Sequence, residues 1–284
     1  MEREFTRREL GKELAKAVLQ VGTPPALVLA VGPRIFPQVK ERIEKLLPFL
    51  KGHEEPAHHL PPPLQGYQAA KHRYGFGVNT QVCIGCGRCV RACKLENHVP
   101  LEGFAYRTWV ERYFVTEERR VYADSPTGGL ESFPAKEEMP ELKGASIKRS
   151  FFVPKLCNQC DNSPCTQVCP VGATFKTVDG IVLVDRSRCV GCGYCIQTCP
   201  YAARFKHPAL HVADKCTWCY HRITRRLRPA CVEACPRHAR IFGDLSDPQS
   251  DIRNFLRQED IYVLKEEMGT YPRCFYTGYR LGVT

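Results

Sequence analysis

Sixteen of the seventeen cysteines in this chain fall into four quartets between Cys83 and Cys235, and that arrangement constrains the fold more than any other feature. The third quartet is the plainest, reading Cys189-Val-Gly-Cys192-Gly-Tyr-Cys195-Ile-Gln-Thr-Cys199-Pro200. This is the C-x2-C-x2-C-x3-C-P run that ligates iron–sulfur cubes. Three cysteines two residues apart, with Gly191 and Gly193 between them, let a loop fold over one corner of a cube and bring backbone N–H groups to its sulfurs. The fourth cysteine is offset. Cys199 lies four residues past Cys195, about 6 Å further along a helical turn, which suits it to a second cluster.

The other quartets vary the same theme. Cys83, Cys86, Cys89 and Cys93 keep the spacing but carry Lys94 in place of the proline. Cys157, Cys160, Cys165 and Cys169 widen the middle gap by two, and Cys216, Cys219, Cys231 and Cys235 widen it to eleven residues. Because no quartet lacks a member, the expected content is four [4Fe-4S] clusters. Structural zinc uses two cysteine pairs and has no need of a third cysteine two residues on. Disulfide frameworks belong to short secreted domains without such glycine-cysteine runs. Cys216-Thr-Trp-Cys219-Tyr-His221 misses a c-type haem motif by one residue.

The formal net charge of +11 counts each cysteine as neutral. Each oxidised cluster with its four thiolates carries about −2, so four clusters lower the total by about 8 and leave about +3. That removes the main support for nucleic-acid binding. No stretch offers enough uninterrupted apolar residues to span a bilayer. Nor is there a P-loop, a Rossmann glycine fingerprint or a nucleophile elbow, so the chain reads as a conductor of electrons with no catalytic residues.

Residues 1–36 fit either of two descriptions. Arg7-Arg8 followed by a charge-free stretch from Ala17 to Pro33 resembles a twin-arginine export signal; the other reading is an ordinary amphipathic helix from Thr6 to Leu19. Residues 37–73 read as a helix over Pro37–Lys51, then a proline-rich linker whose His53, His58 and His59 are expected to be solvated. The cluster domain covers 74–284. Strands are expected at Tyr74–Val82, Arg107–Val115, Tyr201–Lys206, Arg240–Phe242, Ile261–Leu264 and Arg273–Thr277, and Phe151–Pro154 leads into the second quartet. Thr174–Lys176 and Ile181–Val184 flank an Asp179-Gly180 hairpin turn, and Pro126-Thr-Gly128-Gly129 is a second turn. Asp247 and Pro248 read as the cap and first position of a helix. The gap of the fourth quartet, with His221, Arg222, Arg225, Arg226 and Arg228, is either a docking surface or a solvated basic helix. Cys274 is expected to be a buried thiol.

Four quartets in this order, with Arg107-Thr-Trp109-Val-Glu111-Arg112, Phe152-Val-Pro154-Lys-Leu-Cys157-Asn-Gln-Cys160-Asp and Ala213-Asp214-Lys215-Cys216, resemble the iron–sulfur electron-transfer subunits of the DMSO reductase superfamily. The resemblance covers Tyr74 to Thr284. It implies an α+β fold of two ferredoxin-like modules related by a pseudo-two-fold axis, with a β-rich insert and a C-terminal extension. The ligand sets it implies are Cys83, Cys86, Cys89 and Cys235 for cluster 1 and Cys93, Cys216, Cys219 and Cys231 for cluster 2. Cluster 3 takes Cys157, Cys160, Cys165 and Cys199, and cluster 4 takes Cys169, Cys189, Cys192 and Cys195. The implied partners are a quinone-reactive integral-membrane subunit and either a molybdopterin catalytic subunit or a multihaem cytochrome. The expected location is the periplasmic side of the cytoplasmic membrane, with its cytoplasmic face as the alternative. A free soluble multicluster ferredoxin is the competing function. Lys94, beside Cys93, is expected either to raise the potential of the cluster that Cys93 ligates or to serve structure alone.

Overall fold

The computed structural model describes residues 62–131, 133, 139–257 and 260–279. The 1–36 segment, the Pro37–Lys51 helix and His53, His58 and His59 lie outside them. Pro62 and Pro63 are exposed and without regular structure.

The fold is α+β, with ten strands in four small sheets among the described residues. In the first, β1 (Tyr74–Asn79) lies between β9 (Arg240–Asp244), antiparallel, and β10 (Cys274–Thr277), parallel. Phe76 and Val78 are fully buried on one face of β1. On the other face, a Cβ at Gly77 would stand 2.8 Å from the Phe255 ring, so the glycine makes room for α6 (Asp251–Phe255). That helix begins later than Asp247. Asp247 Oδ1 accepts from the Gln249 backbone N–H at 2.9 Å, which closes a turn, and Ser250 takes the N-cap position. The cap signal at Asp247 is satisfied locally, before any helix starts.

β2 (Thr108–Thr116) is the centre of a second sheet, flanked antiparallel by β3 (Val121–Asp124) and β4 (Ile147–Leu156). Pro126–Gly129 follows β3 as a 3-10 turn, whereas the β2–β3 hairpin itself turns at Glu117–Arg120. Two hairpin-sized ladders complete the set: β5 (Thr174–Lys176) with β6 (Val182–Val184), and β7 (Arg204–Lys206) with β8 (Ala213–Lys215). Asp179-Gly180 is the β5–β6 turn, with Gly180 at φ +80°. Ile261–Leu264 contributes only a single bridge, Tyr262 to Tyr276.

The helices pair by quartet. α1 (Arg88–Glu96) carries Cys89 and Cys93 and packs on α5 (Ala230–Glu233), which carries Cys231. α2 (Pro164–Gln167) carries Cys165 and packs on α3 (Tyr194–Gln197), which carries Cys195. α4 (Tyr220–Ile223) lies in the gap of the fourth quartet. The core is built around the cysteines themselves: Cys89, Cys157, Cys160, Cys216 and Cys231 are buried with Phe76, Trp218 and Phe242. Cys274 is fully buried there as well.

Candidate functional site: four cysteine sets and their buried cations

Each quartet opens with the same backbone device. The residue before the second cysteine has positive φ in all four: Gly85 (+66°), Gln159 (+47°), Gly191 (+68°) and Trp218 (+52°). The left-handed residue turns the loop so that successive thiols face one way. At Gly191 space also demands glycine, since a Cβ there would lie 2.4 Å from the His211 carbonyl oxygen. Gln159 and Trp218 occupy this strained region without glycine's freedom, and both are anchored. Gln159 Nε2 donates to the Cys216 carbonyl at 2.9 Å while its Oε1 accepts from the Val182 N–H at 2.8 Å. Trp218 Nε1 donates to the Cys157 carbonyl at 3.2 Å.

The turns after the fourth cysteines are equally regular. Backbone N–H groups point at sulfur, with Ala239 donating to Cys235 at 3.3 Å and Thr174 to Cys169 at 3.4 Å. Further N–H donors reach Cys189 from Ala213 at 3.4 Å and Cys216 from Trp218 at 3.4 Å. Such donors stabilise thiolate sulfur.

The thiols are gathered across quartets. Cys83, Cys86, Cys89 and Cys235 line one cavity, together with Arg240. Cys93 faces Cys216, Cys231 and Cys219 electrostatically, and Cys199 faces Cys157 and Cys165. Cys160 joins the same group, since Cys157, Cys165 and Cys199 all act on it. Cys165 and Cys195 share a small core with Cys189 packed against it. Among the described residues no three Cys, His, Asp or Glu side chains converge tightly enough to grip a single ion, as four thiolates on one zinc would. The thiols in the cavity stand around a shared space instead.

Charge provides the test of fit. Burial pushes the thiols of Cys83, Cys160 and Cys216 up to about 12, and those of Cys93 and Cys231 well above the ordinary thiol value. As free thiols they keep their protons, so binding iron means placing thiolates in the core. The protein supplies matching cations there. Arg107, Arg204, Lys215 and Arg240 are each buried, and each acts on cysteines of these sets. Arg107 is clamped by Asp214 through Nη2–Oδ1 at 2.8 Å and Nε–Oδ2 at 3.1 Å. Lys215 donates to the Val182 and Cys216 carbonyls. Arg240 Nε and Nη1 and Arg204 Nη2 have no hydrogen-bond partner although fully enclosed. A buried guanidinium without an anion is costly. Anionic clusters in the cysteine sets are the counter-charge that these residues fit.

Several neighbours escaped sequence reasoning. Asn97 Nδ2 donates to the Cys93 carbonyl at 2.9 Å and reaches Cys93 Sγ at 3.6 Å and Cys219 Sγ at 3.8 Å. Its position four residues past Cys93 was a signal, but not the contact to Cys219. The basic gap of the fourth quartet is neither of the two things expected of it throughout. His221 Nε2 is hydrogen-bonded to Glu96 Oε1 at 2.6 Å, Arg222 is ion-paired to Glu96 at 2.9 Å, and Arg222 also meets Glu233 at 2.5 Å. Of its basic residues only Arg225, Arg226 and Arg228 are exposed, with Arg228 paired to Asp251. Lys94 is buried, with Nζ donating to the Pro100 and Leu101 carbonyls at 2.8 and 3.2 Å and lying 4.1 Å above the Tyr106 ring.

Comparison with known proteins agrees with this chemistry. Two models described as 4Fe-4S dicluster domains match residues 82–173 and 148–245. The chain is 45% identical over 210 residues to a tetrathionate reductase subunit of Salmonella typhimurium, covering 73% of each protein. It is 44% identical over 204 residues to a tetrathionate reductase subunit of Archaeoglobus fulgidus, covering 72% of this chain and 81% of the relative. A polysulfide reductase component of Wolinella succinogenes is 35% identical over 204 residues, 72% of this chain and 93% of that one. The chain thus belongs to the family of 4Fe-4S iron–sulfur electron-transfer subunits of the DMSO reductase superfamily.

Proposed function

We propose that this chain holds four [4Fe-4S] clusters and relays electrons between a quinone-reactive integral-membrane subunit and a catalytic partner, either a molybdopterin subunit or a multihaem cytochrome. When bound, each cluster takes up and gives back one electron. The ligand sets are those named above: Cys83, Cys86, Cys89 and Cys235; Cys93, Cys216, Cys219 and Cys231; Cys157, Cys160, Cys165 and Cys199; Cys169, Cys189, Cys192 and Cys195.

The observation that carries the reading is the exposure of the thiols. Of the sixteen, only Cys86 and Cys192 are exposed, and they belong to the first and last sets. Ile84 and Val190 are exposed beside them. Cys157 and Cys216, from the two middle sets, are both buried, and Cys157 acts on Cys216. A relay with wet ends for two partners and a dry middle has this distribution. The Gln159–Cys216 and Trp218–Cys157 bonds support a pseudo-two-fold relation between two modules, as does the pairing of α1 with α5 and α2 with α3. The β2–β3–β4 sheet is then the β-rich insert, and β10 the C-terminal extension.

Anaerobically prepared protein is expected to contain about sixteen iron and about sixteen acid-labile sulfide per chain. A reproducible value near twelve with a three-iron signal overturns the four-cluster reading. The periplasmic side of the membrane is the proposed location, resting on Arg7 and Arg8. Replacing both by lysine is expected to strand the chain in the cytoplasm when it is expressed without partners; continued export of that variant overturns the signal.

A further inference from the structure

Two of the buried cations are related to each other. Arg204 and Arg240 each stand five residues past the last cysteine of a quartet, in Cys199-Pro-Tyr-Ala-Ala-Arg204 and Cys235-Pro-Arg-His-Ala-Arg240. The backbone repeats as well. The third residue after the cysteine is left-handed in both, Ala202 at φ +50° and His238 at φ +51°. The alanine that follows is buried, and the arginine opens a strand, β7 or β9. Each guanidinium is then held from one side by a threonine hydroxyl, Arg204 Nη1 to Thr174 at 3.2 Å and Arg240 Nη2 to Thr108 at 2.8 Å. Of the remaining fork atoms, Arg204 Nη2 and Arg240 Nε and Nη1 have no hydrogen-bond partner, and Arg204 also bonds the Cys195 side chain. Both side chains are at least nine-tenths buried.

Their surroundings match too. Arg240 faces Cys83 and Cys89 of the first set and Cys231 of the second. Arg204 faces Cys157 and Cys165 of the third set and Cys195 of the fourth. Each guanidinium therefore acts on cysteines of both the outer and the inner set proposed for its own module, and Arg240 lines the cavity of Cys83, Cys86, Cys89 and Cys235.

We propose that Arg204 and Arg240 are a matched pair of fixed cations, one per module, each of which raises the reduction potentials of the two clusters whose cysteines it faces. The inference rests on the cluster sets proposed above. A guanidinium stays charged throughout the accessible pH range. It favours the more negative, reduced form of a nearby cluster, and in a dry site that preference is weakly screened. The two threonines hold the fork without adding charge, so its full charge acts on the clusters. The arginines position charge and ligate nothing.

The test is an EPR redox titration of the complete, cluster-loaded chain as wild type, Arg240→Gln, Arg204→Gln and the two lysine variants, with iron counted in each. Arg240→Gln is expected to lower the potentials of both clusters on the Cys83/Cys216 side, each by at least the equivalent of a tenfold change in the reduced-to-oxidised ratio, about 59 mV for one electron. The other two clusters are expected to stay put. Arg204→Gln is expected to do the converse, and the lysine variants to restore most of the shift. Unchanged potentials at full iron content overturn the proposal, as does an equal shift in all four clusters. Should a glutamine variant lose iron, recovery of iron and potential in the matching lysine variant upholds a role for charge, and equal loss in the lysine variant overturns it. Iron well short of sixteen in the wild type points instead to failure of the four-cluster reading.

Discussion

Gln159 and Trp218 occupy the same place in different quartets, and each donates from its side chain to the carbonyl of the other quartet's first cysteine, at 2.9 Å to Cys216 and 3.2 Å to Cys157. Both sit at positive φ, where a side chain other than glycine's is strained. The reciprocal bonds hold that strain and tie the second quartet to the fourth across the middle of the protein. They end on the carbonyls of two buried cysteines, Cys157 and Cys216, the first of which acts on the second.

Gln159→Leu leaves the Val182 N–H without its acceptor and takes one of two donors from the Cys216 carbonyl, which keeps Lys215. At about 1–3 kcal/mol for a buried group left unsatisfied, a loss of about 1–3 kcal/mol in stability is expected. Loss of visible cluster absorbance in a denaturant series measures it, and an unmoved midpoint would show that the bridge carries little.

Asn97 is oriented from behind. Arg107 Nη1 donates to its Oδ1 at 2.6 Å, which turns the amide N–H groups toward Cys93 and Cys219. Hydrogen bonds to thiolate sulfur favour the reduced cluster. Asn97→Leu is expected to lower the potential of the cluster held by Cys93 and Cys219 by some tens of millivolts, tenfold being about 59 mV for one electron. A redox titration that shows every potential unchanged removes Asn97 from the tuning.

Cys93→Ser distinguishes crossed from uncrossed ligand sets. The crossed sets predict damage to the cluster that also uses Cys216, Cys219 and Cys231, in keeping with the electrostatic grouping of these four thiols. Cluster-resolved EPR reads the outcome, and loss confined to the Cys83–Cys86–Cys89 signal would sink the crossed assignment.

Lys94 has a structural task beside any electrostatic one. Its ammonium ties down the Pro100 and Leu101 carbonyls. Lys94→Met is expected to cost about 1–3 kcal/mol of stability by leaving these acceptors short of a donor. Lys94→Gln, with full iron content, isolates the electrical part: a lower potential for the Cys93 cluster supports it, and an unchanged titration confines Lys94 to the loop.

Much of the site was legible because cysteine spacing and turn chemistry act over a few residues. C-x2-C sets a loop by local dihedrals alone, and the Asp179-Gly180 hairpin and the strands leaving Cys199 and Cys235 follow from patterns shorter than ten residues. The same locality misled at Asp247, where a side-chain oxygen satisfied a turn and left the helix to begin at Asp251.

The sequence by itself determined that anionic iron–sulfur cofactors had to be housed, and which thiols were available for them. Tertiary structure decided which charges and dipoles face those thiols. The parallel pairing of β1 with β10 and the reach of Asn97 to Cys219 join residues far apart in the chain. So do the Gln159–Trp218 exchange and the contacts of Arg240 with Cys83 and Cys89. The +5 arginines are a visible repeat in the sequence, but burial gives them their effect. A guanidinium in water is screened, whereas one buried beside the cysteine loops, Arg240 against β1 and β2 and Arg204 against β5, is screened far less from whatever negative charge the thiols hold.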